Sequence, residues 1–172
     1  MPNNFSAEEA STLRKLRWTL VAFVAALFLS GVTAFPLRVE LEQIAAMRGL
    51  ENVSSSEVES GFDHWILVVR DGLREAYDKH PWLAYGTDWL AFAHIVIAVF
   101  FIGPLLNPVR NIWVLKAGLI ACLLIIPTAC ICGEVRQIPW GWRLIDCSFG
   151  VLGAILLVLC LKWTRALERR RG

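Results

Sequence analysis

Four apolar runs set the plan of the chain: Trp18–Pro36, Trp89–Leu106, Ile112–Cys132 and Leu144–Lys162. Each is close to the twenty or so residues that an α-helix needs to cross a hydrocarbon layer of about 30 Å. Helices are the expected form, because an isolated strand would leave its backbone groups unpaired in lipid. The pattern predicts an all-α fold, an integral membrane four-helix bundle with an amphipathic helix in the first outer connection. Residues 1–172 would form a single membrane domain, and 37–86 the outer connection.

Within that connection, Glu51–Gly61 is rich in Ser and Glu and reads as a flexible hinge. From His64 to Tyr77 the pattern becomes helical, with Trp65, Val68, Val69, Leu73, Ala76 and Tyr77 on one face. Arg70, Asp71, Arg74, Glu75 and Asp78 fall on the other. Such a helix would lie on the outer leaflet or cap the bundle, either to bind something or only to shield span ends. His80-Pro81 stops it.

Proline and glycine punctuate the rest. Pro104 and Pro108 close the second span, and Leu105–Asn111 makes a tight turn into an antiparallel third span. Pro127 lies inside that third span, where it would free a carbonyl and bend the helix. Gly150, Gly153 and Ala154 put small residues on one face of the fourth span, permitting close helix approach. Ahead of the first span, Met1–Thr12 is polar and expected to fray, although Ser6-x-x-Glu9 matches a capping box. Its apolar run is long for a cleaved signal, so a retained anchor is preferred.

Composition agrees with the pattern. Of 172 residues, 56% are apolar and the mean hydropathy is +0.54, too oily for a soluble domain. The net charge of +2 matters less than its distribution. Arg14, Lys15 and Arg17 precede the first span, Arg110 and Lys116 bracket the second connection, and Lys162, Arg165, Arg169, Arg170 and Arg171 follow the last. The first connection has nine acids against five basic residues, so the positive-inside rule makes both termini cytoplasmic. Arg136 and Arg143, in the third connection, run against that assignment. All eight Trp lie at expected span ends or in the outer connection, as headgroup-level rings should. Asn52-Val53-Ser54 fits a glycosylation sequon, a pattern common by chance.

Candidate chemistry gathers at one level, the outer ends of the spans. Asp88 and His94 begin the second span, Glu134 and Arg136 end the third, and Arg143 and Asp146 start the fourth. Charge there is usually paired, lifted into the headgroups or functional. Arg143 and Asp146 are three apart on a helix, so they can pair with each other or serve a ligand. His94, the one His within a span, suits a proton shuttle, a metal or haem ligand, or an interhelical hydrogen bond. With no second His in a span, bis-His haem is disfavoured. Among the five Cys, Cys130 or Cys132 could bond Cys147 across spans three and four, or all could be buried thiols. No phosphate loop, dinucleotide fingerprint, C-x-x-C or metal-hydrolase motif is present.

Gly133–Gly153 resembles the second half of the VanZ-like membrane proteins. Their pattern of Glu, Gln, a Pro-containing link, Arg, Asp and a Gly-rich helix start is matched by Glu134, Gln137, Pro139, Arg143, Asp146 and Gly153. The family commonly has Asn where this chain has Gly150, and Asp88 and His94 match an earlier Asp…His element only with different spacing. The resemblance implies a small multi-span helical bundle of the bacterial cell envelope, with no assigned reaction.

The readings that follow are three. An outward polar pocket of Glu134, Arg136, Arg143, Asp146, Asp88 and His94 would bind a lipid or glycan-precursor headgroup. Alternatively, Asp146 or Glu134 would act as general base on a lipid headgroup with His94 as proton carrier. Or the charges only seal span ends in a structural or assembly subunit. No metal, cofactor or nucleic acid is expected. The expected partners are membrane lipid and an oligomeric or other membrane protein.

Overall fold

In a computed structural model, residues 7–170 are described and are helical without strands. Ser6 of the expected capping box and the cation Arg171 lie outside the described residues. The helices are α1 (Ala7–Ala34), α2 (Leu37–Met47), α3 (Phe62–Lys79), α4 (Trp82–Phe100), α5 (Ile102–Leu106), α6 (Ile112–Val135) and α7 (Trp140–Arg169), with a 3₁₀ turn at Ser55–Glu57. Four stretches, Ala7–Ala34, Trp82–Leu106, Ile112–Val135 and Trp140–Arg169, are long and apolar enough to cross a membrane. That is the composition of an integral membrane protein. Ala7–Thr12, expected to fray, is already the first turns of α1.

The chain divides into two compact units, one of residues up to Ala26 together with Ala98 onward, the other Leu27–Ile97. In the first, α6 and α7 pack antiparallel. Their register follows from three close approaches, Gly118 to Leu157, Gly150 to Cys122 and Ile125, and Gly133 to Arg143. A Cβ at Gly150 would stand 2.6 Å from the Cys122 carbonyl oxygen, and one at Gly153 would stand 2.8 Å from Cys122 Sγ. The small face of the fourth span is therefore the seam with α6. Leu13, Leu16 and Leu20 of α1 complete the core with Leu115, Leu157, Cys160 and Leu161. Asn111 Nδ2 donates to the carbonyls of Gly103 (3.0 Å) and Asn107 (2.9 Å), which holds the tight turn into α6. The helix α6 continues through Pro127, and in the same turn Thr128 Oγ1 donates to Leu124 O at 2.8 Å.

The second unit contains a helix pair not foreseen as a pair. Leu41 and Ala45, one turn apart on α2, are buried, as are Ile66 and Leu67 of α3. Charged residues staple the rim: Arg38 reaches Asp78 (2.8 Å) and Glu42 (3.3 Å), and Arg74 reaches Glu42 (3.2 Å). The α2 helix ends in a Schellman motif, with Gly49 left-handed at φ 70°. Gly49 N–H donates to Ala46 O and Leu50 N–H to Ala45 O.

Two expectations for this region are corrected. Glu51–Gly61 is a built loop: Ser54 and Glu57 form a complete capping box around the 3₁₀ turn. Arg70 does not share the exposed charged face. It is 4% exposed and points inward, donating to the carbonyls of Leu50 (2.9 Å) and Val53 (2.6 Å) and to Asp71 Oδ1 (2.9 and 2.7 Å). The loop leaves carbonyls that no helix can satisfy, and one guanidinium supplies the donors.

Replacing Arg70 with Met should remove these bonds while keeping much of the volume. Loss of one member of a buried charged pair costs about 3 kcal/mol. We expect amide protection of residues 50–57 to fall, and unchanged hydrogen exchange there would contradict this role.

Acid should loosen the same pair. Partial burial pushes the Asp71 carboxyl up, but the Ser55 N–H and the Arg70 guanidinium outweigh it and hold the group below its ordinary value. Hydrogen bonds from Arg74 and then Arg38 lower Glu42 likewise. A depressed carboxylate contributes stability that is complete above the unfolded value and is lost as pH falls through the folded one. Exchange protection in α2 and α3 should therefore hold from neutrality to about pH 4 and decline below it.

Candidate functional site

The α6–α7 turn carries four of the six candidate residues, and its backbone explains how. Pro139 disfavours helix at Ile138 and opens α7. Before it, α6 closes in a second Schellman motif: Gln137 N–H donates to Glu134 O at 3.1 Å and Ile138 N–H to Gly133 O at 2.8 Å. The left-handed position, usually Gly, is here Gln137 at φ 56°.

Arg143 sits one turn into α7 and is only 6% exposed. Its side chain lies against Gly133, where an added Cβ would stand 2.7 Å from Cδ and 2.8 Å from Nε. Nε donates to Ile138 O and Nη1 to Glu134 Oε2, both at 2.6 Å, and the guanidinium carbon is 4.6 Å from the Trp140 ring centroid. One side chain thus binds the end of α6, the middle of the turn and the start of α7. Nη2 remains accessible and takes no partner among the described residues. The Glu134 side chain is 75% exposed, so the pair's value is in positioning more than in Coulomb energy.

The structure pairs Arg143 with Glu134, nine residues back, where helical spacing pointed to Asp146. Asp146 is exposed on α7, and Arg136 is exposed at the C-cap of α6. Asp88 and His94 belong to α4 in the other unit. His94 Nδ1 lies 2.8 Å from Leu90 O on its own helix. A carbonyl can only accept, so Nδ1 is the donor in this contact. The base of the His94 side chain is itself packed, since a Cβ at Gly31 would stand 3.0 Å from His94 Cβ and 2.9 Å from Ala91 O.

The five cysteines are free thiols; Cys130 is the one that neighbours Cys147, and Cys132 is exposed. Among the described residues no group of three or more His, Cys, Asp or Glu could hold a metal ion. Trp140 was expected only as a headgroup-level ring, and its stacking on Arg143 was not foreseen. Gln137 was named only as part of the family pattern, and its left-handed helix-ending role was not foreseen.

Comparison with known protein families, with curated proteins and with solved structures finds no match to this chain.

The left-handed Gln137 predicts a stabilising substitution. Such a conformation costs a residue with a Cβ roughly 1 kcal/mol relative to glycine. Gln137→Gly should raise the thermal midpoint in mild detergent with the Arg143–Glu134 contact intact, whereas Gln137→Val should lower it.

Proposed function

We propose that this chain is a four-span protein of the bacterial inner membrane, both termini cytoplasmic, whose α6–α7 turn holds a phosphate-bearing headgroup. The ligand would be a cell-envelope lipid or a lipid-linked glycan precursor. The observation that carries this reading is the state of Arg143: its guanidinium is buried and held on two edges, while Nη2 stays open. A donor pair fixed in advance loses little freedom on binding an anion. Arg136 supplies a second cation at the same turn, and Asp146 and the free oxygen of Glu134 would orient the remainder of the headgroup. Arg143 and Lys162 are nineteen residues apart on α7, about 28 Å at helical rise, so the turn falls at headgroup level when Lys162 lies at the opposite face. The resemblance to VanZ-like proteins rests on the same residues. In this reading the α2–α3 pair lies against the outer leaflet. Asp88 and His94 are not needed for it.

One observation favours a second reading, a structural or assembly subunit. Arg143 and Glu134 neutralise each other, as charges that merely seal a span end would. Turnover has less support, because Glu134 is engaged by Arg143 and His94 Nδ1 by its own helix.

Native mass spectrometry of gently extracted protein separates the two. A retained lipid should be seen on the wild type and be lost in Arg136→Gln, which removes an exposed cation outside the clasp, and in Arg143→Lys. The same adduct on equally stable variants would leave the charges a structural role and the subunit reading ahead.

A further inference from the structure

We propose a second lipid site at the other end of α7, built to take a membrane phospholipid that carries two phosphate groups. Lys162, Arg165 and Arg169 line a groove of about 450 Å³ together with Glu168. At spacings of three and four they share one helix face and span about 10 Å of axis.

That face is locked in place. Leu161, Thr164 and Leu167 are buried on the opposite side, Thr164 Oγ1 donates to Cys160 O, and Cys160 packs against α1 at Leu16. The next cation along, Arg170, is occupied by Glu8 at 2.7 Å. Lys162, Arg165 and Arg169 have no ion-pair partner among the described residues. Three cations against the one acid leave the groove a local charge of +2, which two phosphates would balance. Favourable placement at a helix C-terminus accounts only for Arg169, since Lys162 and Arg165 lie one to two turns earlier.

A lipid fits better than a free anion because the same face continues below the groove as exposed Ile155, Val158 and Leu159. Acyl chains would lie along that apolar strip while the headgroup met the cations at the hydrocarbon boundary. Each cation near an anionic surface contributes about 1 kcal/mol.

The experiment is native mass spectrometry of the full chain in detergent, titrated with diphosphatidylglycerol, phosphatidylglycerol or phosphatidylcholine. Wild type should bind one diphosphatidylglycerol in preference to both other lipids. The triple variant Lys162→Gln, Arg165→Gln, Arg169→Gln should bind it roughly a hundredfold more weakly. Arg14→Gln with Lys15→Gln, exposed cations on α1, should leave it unchanged. Equal affinity for phosphatidylglycerol, an unaltered triple variant, or an equal loss in the α1 control would overturn the site. Arg136→Gln tests the α6–α7 turn independently.

Discussion

Two helix ends in this chain face the same constraint: carbonyl groups left without donors where an antiparallel partner must return at close range. Such groups are expensive to strand away from water. The chain answers twice with the same device. After α2 and after α6 the backbone closes in a Schellman motif, and an arginine from the following helix donates into the carbonyls beyond it. In each case a carboxylate meets the guanidinium, Asp71 for Arg70 and Glu134 for Arg143. Arginine suits this because its planar fork offers several donors in fixed directions and never loses its charge.

The parts of the fold that depend on length and composition were legible in the sequence. Three of the four long apolar stretches contain their runs whole, the first stops at Ala34, two residues short of its run, and the small residues Gly150 and Gly153 sit on the seam that their face suggested. What depended on tertiary partners was not legible. The helix α2 is short and buries just two residues by its own pattern, too weak a stripe to stand out before α3 is there to receive it. Arg70 fell on the polar face by periodicity, yet the loop's need for donors turns it inward. Polar composition at Glu51–Gly61 suggested looseness, where the capping box and Arg70 specify a loop of definite form.

The candidate site shows the same division. Sequence gathered Glu134, Arg136, Arg143 and Asp146 around one turn, because topology alone brings the ends of consecutive spans together. It could not choose the partner of Arg143. Spacing within α7 favours Asp146, but Gly133 opens room for the side chain to cross to α6, and there Glu134 and the Ile138 carbonyl compete better than one residue on the same helix. A missing Cβ on one helix thus decides the ion pair of another.

The consequence for function is an asymmetry along α7. At its start, cation and anion are matched and rigid, and what remains for a ligand is one open edge of a fixed guanidinium. At its far end, the cations are unmatched and lie on long side chains above an exposed apolar strip. Under the two proposals, the first arrangement would select by geometry, since the donor directions are set before anything binds; the second would select by charge, since flexible ammonium and guanidinium groups adapt to any phosphate spacing within reach. A helix of 30 residues, about 45 Å long, exceeds the hydrocarbon thickness, and this excess is enough for one spanning element to carry both kinds of surface, one at each end.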